Sequence, residues 1–230
     1  MFFVRSALAV ALVSAVPVFA QSTDRAWQEA LVTIDSELKA GHFDEANRRL
    51  SKLSRAIGEK MRSGSEAMYT VALVSSFRAI AAAGVNNRPE AEWYWSIATS
   101  LFPKFKGSNL SVYGVAGETV MRMDASRPCT PPEHVPHKDL KPPKVIRNPM
   151  PRYPRHAIET GIAEPITVQV TITEDGATRC PQVVETHDDP SLAWVLLEAM
   201  KGWRFEPATL DGKPVPVTVN ETVDFKIHYN

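Results

Sequence analysis

A proline-rich stretch in the middle of the chain constrains its fold more than any other feature of the sequence. Residues 126–151 hold eight of the 18 prolines in this chain of 230 residues. Proline lacks an amide N–H and fixes φ, so the interiors of helices and sheets reject it. The sequence therefore predicts a semi-rigid linker here, with a separate folding unit on each side.

Helical periodicity dominates the residues before this linker. Two neighbouring segments carry apolar residues at helical spacing, with Gly41 between them and Gly58 at the end of the second, which predicts an αα-hairpin. Residues 68–83 are apolar almost all round and predict the most buried helix. Asn87 is the predicted N-cap of a further helix, which Pro103 ends.

Residues 21–125 thus form a predicted all-α domain of helical hairpins. Ala91, Trp95, Ala98 and Pro103 have a spacing that resembles tetratricopeptide hairpins. Ala46, Leu50 and Leu53 match its first three positions. The two copies lie farther apart than the roughly 34 residues of such repeats. A tetratricopeptide-like arrangement and an unrelated small helical bundle both stay open.

Residues 152–230 carry the signals of a second domain with strands. Alternating apolar residues predict a strand over 166–172, and Asp175-Gly176 predicts the hairpin turn after it. Pro181 in the return strand indicates an edge or a bulge. A helix follows from Pro190, and the predicted apolar side of this helix consists of Leu192, Val195, Leu196 and Ala199.

The C-terminal segment "WRFEPATLDGKPVPVTV" predicts the last strand of this domain. Trp203 and Phe205 are two residues apart in a strand, so they point together into the core, and Arg204 points away. Asp211-Gly212 predicts a turn. The alternating valines after it predict a strand from 215 to 227, and the complete order is α-β-β-α-β.

Composition and motifs argue against several classes of function. The chain has 26 basic and 26 acidic residues, so it offers no charge surplus for nucleic acid. It lacks a nucleophile-elbow motif, a zinc-protease motif and a phosphate-binding glycine loop, so we predict no enzyme and no cofactor. Cys129, His134 and His137 lie in the linker without an obvious fourth ligand, so we predict no metal centre.

The first twenty residues, "MFFVRSALAVALVSAVPVFA", have the pattern of a cleavable signal peptide. Their uncharged apolar run is shorter than the roughly 20 residues that span a bilayer. We therefore predict export to a bacterial periplasm, with no transmembrane span in the mature chain. An uncleaved membrane anchor is the alternative.

The two cysteines of the chain, Cys129 and Cys180, bear on this compartment. In an oxidising compartment two cysteines often form one bridge, so we predict a Cys129–Cys180 disulfide. Sequence alone does not show that the two residues meet.

Three segments of the second domain resemble the C-terminal domain of TonB, the energy transducer of Gram-negative envelopes. They are "PRYPRHAIETG", "ITVQVTITEDGATRCPQVVET" and "DPSLAWVLLEAMKGWRFEPATLDGKPVPVTV". The resemblance implies an α+β fold with a three-stranded antiparallel sheet. This chain departs from the family at Glu164-Pro165, where a glycine is common. A predicted signal peptide stands in place of the family's membrane helix, and a helical domain with a short proline-rich linker stands in place of its long spacer. The resemblance therefore implies the family's mode of binding more strongly than its energy coupling.

In that mode, an extended segment of an outer-membrane receptor adds to the sheet beside the last strand. The resemblance implies TonB-dependent receptors as partners, with an energy transducer or a self-associating homodimer as the alternatives. The predicted partner-binding residues come from the end of the linker and from the last strand; they are Arg147, Asn148, Met150, Arg152, Tyr153, Val215, Val217, Val219, Glu221, Val223 and Phe225.

Overall fold

The computed structural model describes residues 22–60, 65–126, 139–184 and 190–226. The predicted signal peptide, Cys129, His134 and His137 lie outside these residues. The described residues form two compact units, one drawn from residues 22–55 and 72–126 and the other from residues 56–60, 65–71, 139–184 and 190–226. Helices make up the N-terminal part and antiparallel sheets characterise the C-terminal part, which confirms the predicted α+β class.

Five α-helices form the described part of the N-terminal half. They are α1 (Ser22–Lys39), α2 (Phe43–Lys60), α3 (Ser65–Gly84), α4 (Arg88–Leu101) and α5 (Gly114–Ser126). Every residue from 71 to 83 is buried, as predicted for the most apolar segment. Residues Ala67–Gly84 are long and apolar enough to cross a membrane by length and composition, but 78% of this window is buried inside the protein.

Helix α4 begins and ends where its local signals predict. The Glu90 amide donates to Asn87 Oδ1 at 3.4 Å, and proline stands in the first turn of the helix. The helix ends at Leu101, before the 3₁₀ turn Pro103–Phe105. The short polar side chain of Asn87 thus satisfies an amide that has no partner within the helix.

The main sheet of the C-terminal unit has three antiparallel strands, as predicted. It contains β3 (Pro165–Ile172), β4 (Thr178–Val183) and β8 (Val217–Asp224) in the order β4-β3-β8. Two helices accompany it, α6 (Arg155–Thr160) and α7 (Pro190–Met200). Ile166, Val168, Val170 and Ile172 of β3 are fully buried, because strand alternation directs them all to one face.

Two smaller sheets flank the main one. The first contains β1 (Leu140–Lys141), β6 (Ala208–Leu210) and β7 (Lys213–Val215), and the second pairs β2 (Lys144–Arg147) with β5 (Arg204–Glu206). Strands β1 and β2 lie in the stretch that proline content assigned to the linker. Prolines stand between and after these strands but not within them, so their backbones keep the donors that a ladder needs.

Pro181 interrupts the β3–β4 ladder as a bulge, which confirms the sequence interpretation. The pairing steps from Gln169↔Gln182 to Thr171↔Arg179, so β4 carries one extra residue. Cys180 takes the left-handed conformation there, with a φ of 54°.

Helix α2 does not end at Gly58 as its sequence predicts, but continues to Lys60. A Cβ atom at Gly58 would lie 3.2 Å from Val195 Cγ1 and 3.6 Å from Trp194 Cδ1. The glycine therefore serves close packing of the end of α2 against α7. A glycine inside a helix pattern has such a packing role when it does not act as a cap.

The buried surface of α7 is wider than its predicted apolar side. Leu192 and Leu196 are buried as predicted, but Val195 and Ala199 are only half-buried. The buried set also includes Ala193, Trp194, Leu197 and Met200. The helix is enclosed because it packs on β3 and β4 and also meets the end of α2 near Gly58.

Gly176 provides a test of the packing in the hairpin turn. A Cβ atom at Gly176 would lie 1.8 Å from the Phe205 carbonyl oxygen, and its φ is +77°. Gly212 has a φ of +78° with nothing within 4 Å, so it is a matched control for backbone strain alone. We expect Gly176→Ala to lower the opening free energy of β3 by about 1–3 kcal/mol more than Gly212→Ala does.

Hydrogen exchange of peptides from β3, read by mass spectrometry on the full chain, measures this free energy of opening. Equal losses in the two variants would contradict the close approach of Phe205 to Gly176.

The disulfide stays a prediction, because Cys129 lies outside the described residues, although Cys180 is buried. A bridge over about 50 residues would stabilise the fold by up to about 4 kcal/mol. We expect no free thiol in the denatured, unreduced protein. Cys129→Ser and Cys180→Ser should each lower Tm, and the double variant should lower it no further than Cys180→Ser alone, since Cys180→Ser also places a hydroxyl in a buried site. Two titratable thiols would contradict the pairing.

Candidate strand-docking edge

Strand β8 is the last strand of the main sheet and carries an open edge. It pairs with β3 through an unbroken antiparallel register from Pro165↔Asp224 to Ile172↔Val217. Among the described residues, no strand pairs with its other side. An edge of this kind presents unpaired backbone donors and acceptors.

Two hydrogen bonds show which backbone groups of β3 face β4 and which face β8. The Val184 amide donates to the Thr167 carbonyl at 3.1 Å, and the Thr173 amide donates to the Ala177 carbonyl at 2.9 Å. The odd-numbered residues of β3 therefore face β4, and the even-numbered residues face β8. In the observed register, these even-numbered residues pair with the odd-numbered residues of β8.

The even-numbered residues of β8 consequently direct their N–H and C=O groups away from β3, because backbone groups alternate sides along a strand. The outward residues are Thr218, Asn220, Thr222 and Asp224.

The two faces of β8 differ in chemistry. On one face, Val217, Val219, Glu221 and Val223 stand opposite the buried aliphatic residues of β3. The other face is polar: Thr167 and Thr222 hydroxyls lie 2.9 Å apart, and Gln169 donates to Asn220 at 3.2 Å. These side-chain pairs support the register without using the outward backbone groups.

Glu221 is the acidic exception on the aliphatic face of β8. It stands opposite Val168, between Val219 and Val223 on the same face. It is half-buried, and burial raises the pKa of its carboxyl. In the part of the chain that the structure describes, the carboxyl group of Glu221 makes no hydrogen bond and no ion pair.

The end of β8 is held by an aromatic contact. Phe225 is buried, and its ring meets Tyr153 edge-on with centroids 5.3 Å apart. The Tyr153 hydroxyl donates to the Ile162 carbonyl. Just beside this contact, the exposed Asp224 and Lys226 form an ion pair of 3.4 Å. The structure thus brings Tyr153 and Phe225 together, and their contact with a partner stays a prediction.

The predicted residues before Tyr153 lie at the end of strand β2 and directly after it in the chain. Arg147 ends β2, and the Pro149 carbonyl accepts a hydrogen bond from Trp203 Nε1 at 3.2 Å. Asn148, Met150 and Arg152 are exposed. Sequence analysis did not predict the exposed apolar side chains of β2, Val145 and Ile146. The prolines on both sides of this short segment indicated a linker instead of a strand.

Val215 is separated from the rest of the predicted strand. It pairs with Ala208 in the small sheet, whereas β8 begins at Val217. Pro216 stands between the two strands and has no N–H to continue a ladder. The sequence prediction of one strand over 215–227 is therefore wrong at its start and near its end, because β8 stops at Asp224. Residue 227 lies outside the described part.

The chemistry that this edge offers is backbone hydrogen bonding with side-chain selection. Within the described ranges, no group of three His, Cys, Asp or Glu side chains comes together as a metal site. Trp203 and Phe205 are buried and Arg204 is exposed, as predicted. The two aromatic rings belong to the core, so they do not form a surface for a partner. The candidate docking surface is the β8 edge.

Comparison with known proteins identifies the C-terminal region. Residues 149–227 match the family described as Gram-negative bacterial TonB protein C-terminal. Protein TonB of Vibrio cholerae is 32% identical over 87 residues, which are 38% of this chain and 36% of that protein. Protein TonB of Pseudomonas aeruginosa is 37% identical over 89 residues, which are 39% of this chain and 25% of that protein.

A solved structure also matches this region. It is the solution NMR structure of the Pseudomonas aeruginosa TonB C-terminal domain, at 34% identity, 41% coverage of this chain, 92% coverage of that chain and a TM-score of 0.34. The region of this chain that matches the two curated relatives spans about a third or less of their length. Residues 149–227 are thus similar to the C-terminal domain of TonB proteins.

The raised pKa of Glu221 predicts a pH-dependent stability. Folding favours the protonated carboxyl, so the cost of ionisation is absent below the ordinary pKa of 4.5 and complete above the folded pKa. We expect Glu221→Gln to raise Tm at neutral pH and to lose this gain as the pH falls below 4.5.

Calorimetry of the full chain over a pH series measures the effect. Glu159→Gln, at an exposed position of α6, is the control for loss of one negative charge. A lower Tm for Glu221→Gln than for this control at neutral pH would contradict the prediction.

Proposed function

We propose that this protein is a non-catalytic periplasmic binding protein, whose TonB-type domain captures extended segments of envelope proteins by strand addition to β8. TonB-dependent outer-membrane receptors are the candidate partners. The open outward edge of β8 is the observation that carries this proposal. The similarity to two TonB proteins supports the same class of partner.

The geometry of the edge indicates how an extended segment would bind. Alternate residues from Thr218 to Asp224 offer N–H and C=O groups that no β3 residue uses. Each added backbone hydrogen bond contributes about 0.5–1.5 kcal/mol net, and ordering an extended peptide offsets part of that gain. We therefore expect modest affinity for an isolated peptide and selectivity from the alternate side chains.

The helical unit supplies a second surface in this proposal. If it binds the same envelope assembly, the short connection to the C-terminal unit raises the effective concentration of the edge at its partner. This arrangement increases the occupancy of a weak strand-addition site without any new contact at that site.

Two alternatives use the same domain differently. An energy transducer would need residues 1–20 as a retained anchor, and these lie outside the described residues. A self-associating protein would place β8 of a second copy against the same edge. Both alternatives keep the edge as the docking surface, so the experiment for the proposal must identify what occupies it.

A proline substitution on the outward side of β8 tests the proposal. The Thr222 amide faces away from β3, so Thr222→Pro removes an outward donor and leaves the β3–β8 ladder in place. Thr222→Val is the matched control, because it also removes the hydroxyl that contacts Thr167 but keeps the amide.

The measurement is an NMR titration of the labelled full chain with N-terminal peptides of outer-membrane receptors. We expect amide shifts concentrated in β8, binding weakened at least about 5-fold by Thr222→Pro, and less than about 2-fold by Thr222→Val. Absence of shifts at millimolar peptide would contradict receptor capture. A concentration-dependent mass without peptide binding would instead indicate a second copy on the edge.

A further inference from the structure

Glu221 is an acidic residue on the aliphatic face of the docking edge. Its backbone pairs with Val168 of β3, whereas its side chain lies on the aliphatic face of the sheet. A residue of an added strand that stands opposite Glu221 would share this face, because directly opposed residues point to the same side of a sheet.

The surroundings of Glu221 determine what such a residue must be. The Glu221 side chain is half-buried, and among the described residues its carboxylate has no hydrogen-bond donor and no cation as a partner. Burial already disfavours its charge, as its raised pKa indicates. An added strand would remove more water from the carboxylate, and a buried charge is costly unless a partner compensates it.

We propose that Glu221 is the specificity-determining residue of the β8 edge and selects an extended segment with a lysine or arginine opposite it. This inference rests on the proposed strand addition. Val219 and Val223 stand two residues away on the same face, so the segment carries apolar residues two positions before and after the cation.

The opposite face of β8 completes the pattern. Thr218, Asn220 and Thr222 form the polar row on that face, and each pairs with a polar residue of β3. The alternate positions of the incoming segment therefore carry small polar residues. The predicted segment is apolar-polar-basic-polar-apolar, which reads the same in both directions and so fits either parallel or antiparallel addition.

The charge pattern also bears on pairing between two copies of β8. A symmetric antiparallel pair that placed Glu221 opposite its own copy would bring two uncompensated carboxylates together. Like charges directly opposite each other destabilise a sheet. Glu221 thus discriminates against that register while it attracts a basic segment.

Capped nine-residue peptides test the selection directly. Each has valine at its third and seventh positions, threonine or serine at the remaining flanking positions, and a central lysine, norleucine or glutamate. Affinity for the full chain is measured by fluorescence anisotropy, and NMR shifts establish whether the peptide lies on β8. We expect the lysine peptide to bind at least about 5-fold more tightly than the glutamate peptide, with norleucine between them.

Variants of the protein assign this preference to one side chain. Glu221→Gln should reduce the lysine-to-glutamate ratio to within about 2-fold, and Glu221→Lys should reverse the order. Glu159→Gln removes an exposed charge from α6 and should leave the ratio unchanged. Higher salt should reduce the ratio in the wild type, because screening weakens the ion pair.

The outcomes separate this inference from the proposed function. If all three peptides bind on β8 with equal affinity, strand addition stands and charge selection by Glu221 is overturned. If none binds at millimolar concentration, or if the shifts lie away from β8, the proposed function fails and the selection fails with it. Retention of the lysine preference in Glu221→Gln would also overturn the role of this residue.

Discussion

The ladder between β3 and β8 is the interaction on which the C-terminal unit depends. It joins Pro165–Ile172 to Val217–Asp224 across the domain without a break in register. It directs the aliphatic residues of β3 into the core, where they are fully buried. Among the described strands, the same ladder leaves alternate backbone groups of β8 without a partner. The proposed docking surface is thus a direct consequence of how the core is closed.

The edge combines features that attract a strand with features that limit aggregation. Its length and its outward amides favour pairing, whereas Glu221 and the Asp224–Lys226 pair place charges along it. Charges on an edge are a common protection against unspecific pairing. In this protein one of them, Glu221, lies on the aliphatic face. In the proposed strand addition, protection and selectivity come from this same side chain.

Much of this architecture follows from local sequence signals, and the rest depends on contacts between distant segments. Alternation predicts β3, and Asn87 predicts the start of α4, because both signals act within a few residues. Gly58 leads to a wrong prediction for the end of α2. In the sequence, a glycine that ends a helix cannot be distinguished from one that permits close packing, and the packing of Gly58 depends on the distant helix α7. Strand β2 escapes prediction because its four residues, bounded by Pro143 and Pro149, give too short a pattern.

In the candidate site too, local sequence signals predict some features, and the others depend on contacts between distant segments. The family resemblance identifies the last strand as the docking element, but Pro216 moves its start to Val217. The outward and inward residues of β8 follow only from the hydrogen bonds of β3 with β4. For that reason sequence alone does not distinguish Glu221 from the other predicted contact residues.

Residue-resolved amide exchange along β8 tests the central claim, an open edge, most directly. NMR exchange rates of the free full chain should alternate: slow at Val219 and Glu221, whose amides face β3, and fast at Asn220 and Thr222, whose amides face outward. Uniform protection of all β8 amides would contradict the claim, because it would mean that the edge is already covered in the free protein.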